Sequence, residues 1–295
     1  MNLIANKSAR STRVLVALLS TLAAGFSIMR AQVSLTGTGG YTQNFSEAEN
    51  PGVSIATAAN NNWANGTTIA NWHAFVNGVA PTLARSTTGE GQDGYRNSTY
   101  ALYLFRSGGS DGALGTIRYT NKGGSDTTAS NTGFTAIGVS FTNNTGKTIT
   151  ALDISYLLQQ WQANPGTGDG FDFQYSLDAT SLADTAATWV DHNALDGNAL
   201  QVGTNNFAYV GNDKITTPDY SKIISSSITG LAIANGQTFW LRWVDRDIGG
   251  IEQALSIDNF VLTATLETPS IPEPSTCVVL VAIAGLVFAF WRRLA

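Results

Sequence analysis

The chain contains 295 residues, with a formal net charge of −5 at pH 7 and an isoelectric point near 4.9. This acidic balance excludes a typical nucleic-acid-binding protein, because such proteins concentrate Lys and Arg on one surface. The single cysteine, Cys277, excludes an intrachain disulfide, and the two histidines, His73 and His192, exclude a His-rich metal site.

The N-terminal segment predicts a secretory signal peptide, residues 1–31. Three basic residues precede an apolar run over residues 14–29: Lys7, Arg10 and Arg13. This order matches the charged and hydrophobic regions of an export signal, and cleavage is expected after Ala31. The alternative is an N-terminal membrane anchor that is kept. The chain is exported under either interpretation.

Residues 32–269 predict one all-β ectodomain, because short aromatic and apolar segments are separated by clusters of Gly, Asn and Asp. The predicted strands are residues 100–105, 113–119, 135–142, 149–162, 170–177, 237–245 and 255–266. Many short strands with polar turns favour an antiparallel β-sandwich, and a jelly roll in particular. A parallel β-helix is the alternative, but the sequence has no fixed repeat period.

Alternation of apolar and polar residues is clearest at residues 171–177 and 260–266. It predicts strands with one buried face and one face in water. Residues 164–170 predict a hairpin turn rather than a phosphate-binding loop, because the Gly-Lys-Ser/Thr ending of such a loop is missing.

Residues 239–260 contain the most distinctive internal sequence. Leu241-Arg242-Trp243 is followed by an acidic loop, two glycines and the strand sequence Ile257-Asp258-Asn259-Phe260. This order resembles the closing hairpin of β-sandwich domains found in many exported bacterial proteins. The resemblance implies a jelly-roll ectodomain of unassigned activity.

Four acidic residues in this segment are candidate calcium ligands: Asp245, Asp247, Glu252 and Asp258. Calcium accepts several carboxylate and carbonyl oxygens in irregular geometry, although the spacing here is not that of an EF-hand. The alternative is that these carboxylates stabilise turns and pair with Arg242 or Arg246.

The sequence nominates no catalytic residue. Neither histidine lies in a recognisable nucleophile context, no Gly-x-Ser-x-Gly sequence occurs, and both histidines are expected at the surface or half-buried. Six tryptophans are candidates for sugar contact, because their flat faces combine apolar area with a polar N–H: Trp63, Trp72, Trp161, Trp189, Trp240 and Trp243. Trp240 and Trp243 are three residues apart, so we expect one in the core and the other exposed.

The C-terminal segment, residues 270–295, has three parts in a fixed order. Pro272, Glu273 and Pro274 come first, the apolar run 277–291 follows, and Arg292 and Arg293 come almost last. This order resembles the PEP-CTERM sorting signal of Gram-negative bacteria. The alternatives are an ordinary C-terminal anchor or a buried core helix.

The PEP-CTERM resemblance implies a partner and a route. An exosortase-type transpeptidase is expected to act near the Pro-Glu-Pro sequence, after residues 277–291 enter the inner membrane as a helix. The arginine pair, Arg292 and Arg293, is expected on the cytoplasmic side, because short flanks rich in Lys and Arg stay there. The expected destination is the outer surface or the extracellular matrix.

The sequence therefore predicts a non-enzymatic surface or matrix protein that contacts exopolysaccharide. The alternative is a hydrolase that acts on extracellular polysaccharide through carboxylates on loops of the sandwich. Calcium is the one candidate cofactor, and nucleic acid is not an expected partner.

Overall fold

The computed structural model describes residues 32–37, 40–54, 60–76, 78–87, 102–106, 110–117, 135–165, 168–204, 210, 214–246, 253–268, 283–284 and 290–293. The predicted signal peptide and the Pro-Glu-Pro sequence lie outside these ranges. Within them, no helix is long and apolar enough to cross a membrane, and most of the predicted span at residues 277–291 lies outside them. Arg292 and Arg293 are exposed in a short helical segment.

The described residues form strands of very different lengths. In chain order they are β1 (Val33–Leu35), β2 (Tyr41–Gln43), β3 (Asn60–Asn62), β4 (Trp72–Phe75), β5 (Leu83–Thr87), β6 (Leu102–Phe105), β7 (Ala113–Thr116), β8 (Thr135–Asn143), β9 (Ile149–Gln162), β10 (Gly170–Ser176), β11 (Val190–Asp191), β12 (Gly197–Asn198), β13 (Ser221–Ile233), β14 (Thr238–Asp245) and β15 (Ala254–Leu266). A single 3-10 turn, Asn193–Leu195, precedes β12.

These strands form two sheets. Sheet A has the order β1-β8-β14-β10-β11, with β4 also paired to β8 and β12 to β10. Sheet B has the order β13-β9-β15-β7-β6-β5-β3, with β2 also paired to β15. The all-β prediction and the two-sheet sandwich are confirmed. Most strand pairs are antiparallel, whereas β1 pairs with β8 and β5 with β6 in parallel.

An aromatic cluster around Trp243 joins the two sheets at the centre of the core. From sheet A, Trp72 stacks on Trp243 at a ring-centroid distance of 5.8 Å, and Phe173 meets it edge-on at 5.2 Å. From sheet B, Tyr156 and Phe260 meet Trp243 edge-on at 5.5 and 5.6 Å. Edge-to-face pairs at these distances are favourable beyond the area that they bury.

Each sheet also has a smaller apolar cluster on its outer face. On sheet A, Trp240 packs with Ala179 and Leu182, so residues 178–189 cover part of that face. On sheet B, Trp161 packs with Val210 and Ile215, so these two residues cover part of that face. The end of sheet B formed by β13, β9 and the second half of β15 has no such cover among the described residues.

The predicted strands agree with the observed ones, most closely at β9, where both bounds match. The strand β13, together with β1 to β5, was not predicted. Two predicted hairpins were wrong: β9 and β10 lie in different sheets, and so do β14 and β15. Residues 164–170 and the acidic loop after Asp245 therefore connect one sheet to the other. A Gly-rich sequence predicts a turn, but it does not encode whether the next strand joins the same sheet or the other one.

Candidate functional site

The structure describes two of the four predicted calcium ligands and places them in different sheets. Asp245 ends β14 in sheet A, is 4% exposed, and accepts a hydrogen bond of 2.6 Å from the Thr116 hydroxyl. Asp258 lies in β15 of sheet B and is 2% exposed. Asp247 and Glu252 lie outside the described residues.

The described part of the chain contains no group of three or more His, Cys, Asp or Glu side chains placed to hold a metal ion. Calcium binding at Asp245, Asp247, Glu252 and Asp258 stays a prediction, because two of the four lie outside that part.

Asp258 occupies an irregularity in β15. The register with β9 is regular from Leu255 to Asp258 and resumes at Val261. Between them, Asn259 adopts a left-handed conformation with φ 48°, which Asn tolerates better than most residues. Its backbone N–H donates to the Asp258 carboxylate at 2.6 Å. The pKa of Asp258 is raised to about 8, mainly by burial. The hydrogen bond from the Asn259 backbone lowers it, and the negative charges of Asp111 and Glu49 contribute smaller increases.

Asp169 anchors the connection between β9 and β10. Its carboxylate accepts backbone N–H groups of Gly170 at 2.6 Å and Gln253 at 2.5 Å. The Gln253 side chain accepts a hydrogen bond from the backbone N–H of Asn164 and donates one to the backbone C=O of the same residue. The Gln253 side-chain oxygen also accepts a hydrogen bond of 3.1 Å from the Gln160 side-chain amide. These contacts hold the connection between β9 and β10 against the segment that leads into β15.

The predicted sugar-contacting tryptophans are in the interior. Five of the six are no more than 4% exposed: Trp63, Trp72, Trp161, Trp240 and Trp243. Trp189 is half-buried, with the Arg242 guanidinium 3.6 Å from its ring centre. The expectation that one of Trp240 and Trp243 is exposed was wrong, because residues 178–189 cover the outward-facing Trp240.

The two histidines have different surroundings. His73 is 6% exposed and meets the Trp240 ring edge-on at 4.9 Å, so its predicted surface or half-buried position was wrong. His192 is half-buried, and its Nε2 lies 3.1 Å from the Ser226 hydroxyl.

A hydroxyl-rich depression lies on the uncovered outer face of sheet B. It has a volume of about 260 Å³ and is lined by Asp153, Ile154, Ser155, Ser225, Ser226, Ser227, Val261 and Thr263. We call it the outer-face depression. Its lining residues come from three adjacent strands, β13, β9 and β15.

Strand register arranges the outer-face depression in two rows. One row is Ser225, Ser155 and Val261, which are register partners across the three strands. The next row is Ser227, Asp153 and Thr263. Side chains two residues apart point to the same face, so the rows lie about 6.6 Å apart.

The chemistry of the outer-face depression suits hydroxyl-bearing ligands. Ser and Thr hydroxyls donate and accept hydrogen bonds, and a carboxylate accepts them, as sugar hydroxyls require. Within the depression, Ser227 donates to Asp153, and Val261 at 38% exposure offers a small apolar surface. Asp153 is the one carboxylate among the lining residues, whereas glycoside hydrolysis ordinarily requires a pair.

No protein-family model and no curated protein matches the chain. Among solved structures, it is similar to the K2 cleaved adhesin domain of Lys-gingipain, at 12% identity and a TM-score of 0.39, covering 78% of this chain and 100% of that one. It is also similar to a CBM4 structure (11% identity, TM-score 0.27, 66% and 95% covered) and to CBM28, a carbohydrate-binding module specific for non-crystalline cellulose (10%, 0.29, 68% and 89%). Similarities this distant carry no information about the function of this chain.

The buried carboxyl of Asp258 predicts a stability that falls as pH rises. Its pKa is raised from 3.8 to about 8, so between these values the folded protein holds a proton that the unfolded chain has lost. Stability is therefore highest at the acid end of this window and decreases towards pH 8. Urea midpoints measured from pH 4 to 9 should show this decline, and Asp258→Asn should flatten it.

Asp178→Asn is the matched control. Hydrogen bonds from Ser176 and Thr188 lower the pKa of Asp178, so its contribution is lost as pH falls rather than as pH rises. The decline from pH 4 to 8 should persist in that variant. An equal slope in the native protein and in Asp258→Asn would contradict the assignment.

Proposed function

We propose that this chain is an exported, non-enzymatic surface or matrix protein, sorted through its C-terminal signal and associated with exopolysaccharide. The observation that carries the proposal is the order of Pro272-Glu273-Pro274, the apolar run 277–291, and the pair Arg292 and Arg293. An exosortase-type transpeptidase acts near the Pro-Glu-Pro sequence. The basic N-terminal segment with its apolar run supports export by the same route.

The membrane enters this proposal as an intermediate. About 20 apolar residues are needed to cross the hydrocarbon core, and the run 277–291 is shorter than that. A short span suits transient insertion followed by processing, with Arg292 and Arg293 held on the cytoplasmic side. The ectodomain, residues 32–269, is then released to the outer surface or the matrix. In this proposal, the strands of the ectodomain are connected as in a jelly roll.

Sugar binding at the outer-face depression is the role proposed for the ectodomain. Five of the six tryptophans expected to contact sugar are packed inside, so the accessible polar surface is the alternative contact. The depression is shallow and its groups are mostly neutral, so one sugar unit binds weakly there. A long polysaccharide compensates, because many weak contacts on one polymer add through high effective concentration.

The sorting proposal predicts the fate of a tail variant. Replacing Pro272, Glu273 and Pro274 together with alanine removes the processing sequence and leaves the apolar run intact. The variant should accumulate in the inner membrane, whereas the native protein is released from it, as measured by immunoblotting of membrane and extracellular fractions.

Pro269→Ala is the matched control for that variant, because it removes a nearby proline and keeps the Pro-Glu-Pro sequence. It should be released normally. Normal release of the triple-alanine variant would overturn the sorting proposal.

The binding proposal predicts a loss of affinity when the depression is blocked. Thr263→Arg places a long side chain over the floor of the depression. The Kd for exopolysaccharide of the producing bacterium should rise by about tenfold, as measured by weaker retardation in affinity electrophoresis. Thr204→Arg adds the same side chain at an exposed position outside the depression and should bind normally.

A reducing-end assay on the same samples separates binding from hydrolysis. Retardation without release of reducing ends is expected. Release that disappears when one particular Asp or Glu is replaced would instead establish the hydrolase, and equal retardation of both arginine variants would exclude the outer-face depression as the contact surface.

A further inference from the structure

Strand β13 is the terminal strand of sheet B. It has 13 residues and pairs with β9 along one side only. Along its other side, no strand of the described residues pairs with it. A terminal strand of this length exposes a row of backbone N–H and C=O groups that can pair with another chain.

The exposed edge of β13 carries few of the features that usually prevent such pairing. Natural edge strands are short, or carry charges, proline or bulges that turn the edge away. From residue 221 to residue 229, β13 pairs with β9 residue for residue, and the irregularity begins only after Thr229. Lys222 is the one charged residue in the strand, and the strand has no proline. Ile223 is 69% exposed next to Lys222.

The sequence of β13 is self-complementary about Ser226. Antiparallel pairing with a second copy of the same strand, centred on this residue, places Ser225 opposite Ser227 and Ile224 opposite Ile228. Ile223 then faces Thr229, a pair of β-branched residues that suits a sheet surface. Lys222 faces Gly230, so no charge meets a like charge.

We propose that two copies of this chain pair through β13, antiparallel and about a two-fold axis at Ser226. A two-fold interface brings the same patch of each copy together, so each residue i that contacts j is matched by j contacting i. The palindromic order Ile-Ser-Ser-Ser-Ile of residues 224–228 meets this requirement, whereas an unrelated peptide strand gains nothing from it. Sheet B then continues from one copy into the other.

Burial supports the same geometry. Ile224 and Ile228 face the core at 9% and 3% exposure, so pairing them across the axis extends the apolar core from copy to copy. Ser225 and Ser227 are exposed on the outer face and line the depression described above. The two depressions therefore lie side by side across the axis, which gives the dimer a double contact surface for one polymer.

Two double variants test the register, and they differ at a single position. In Ser225→Lys with Ser227→Lys, each substituted side chain faces a like charge of the partner copy, which is unfavourable for residues directly opposite. In Ser225→Glu with Ser227→Lys, each faces an opposite charge. Both variants carry Lys at position 227 beside Asp153, so the two share the same local environment within one copy.

The measurement is sedimentation velocity of the full-length chain in one detergent, for the native protein and both variants. Because all three share the C-terminal apolar run, differences among them report on β13. The native protein and the Glu/Lys variant should be dimers. The dimer of the Lys/Lys variant should dissociate at a concentration at least about tenfold higher than that at which the native dimer dissociates.

Three outcomes would overturn the proposal. They are a monomeric native protein, a Lys/Lys variant that dimerises as tightly as the native protein, and a Glu/Lys variant that dissociates as readily as the Lys/Lys variant. Because the substituted positions are exposed, each variant should remain folded. Thermal unfolding of both variants, measured below the concentration at which the dimer dissociates, checks this expectation.

Discussion

The contact of Trp243 with aromatic rings from both sheets is the constraint on which the rest of this structure depends. The chain has a single cysteine and therefore no intrachain disulfide, so the two sheets are joined by packing. The rings that surround this one side chain are those of Trp72, Phe173, Tyr156 and Phe260. Large aromatic side chains dominate core energetics because each buries a large apolar area. Removing Trp243 would open a cavity bordered by both sheets, and losses of this type typically cost about 3 to 5 kcal/mol.

Placing the tryptophans inside determines which surface remains for function. Trp240 and Trp161 point away from the central core, yet each is covered by a segment that crosses the outer face of its sheet. The part of sheet B left uncovered has Ser, Thr, Asp and Val side chains instead of aromatic rings. The proposed sugar binding therefore depends on hydrogen bonds from side chains on the outer face of a sheet. The exposed edge of β13 lies next to the same surface.

The sequence predicted the strands well where aromatic and apolar residues alternate, as in β9, β10 and β15. It missed β13, because Ser226 occupies an inward position between Ile224 and Ile228 and interrupts the alternation. That serine is accommodated because it lies beside His192 at the edge of the sandwich, a contact between residues far apart in the chain.

The errors in topology and in the candidate sites have related causes. Glycine-rich sequences predict that the chain turns, but the sheet that the next strand joins is decided by packing, as the connections after β9 and β14 show. Burial of Trp240 depends on residues 178–189 folding over it, and the raised pKa of Asp258 depends mainly on the burial of its carboxyl group. Neither kind of burial follows from local sequence.

The measurement that tests the account most directly is the intact mass of the protein recovered from the surface or matrix of the producing bacterium. Export and sorting predict a chain that begins at or near Gln32 and ends near Pro272-Glu273-Pro274, without the apolar run. A recovered chain that still contains residues 277–295 would contradict the sorting signal, and with it the central claim that the sandwich is delivered outside the cell by processing of this tail.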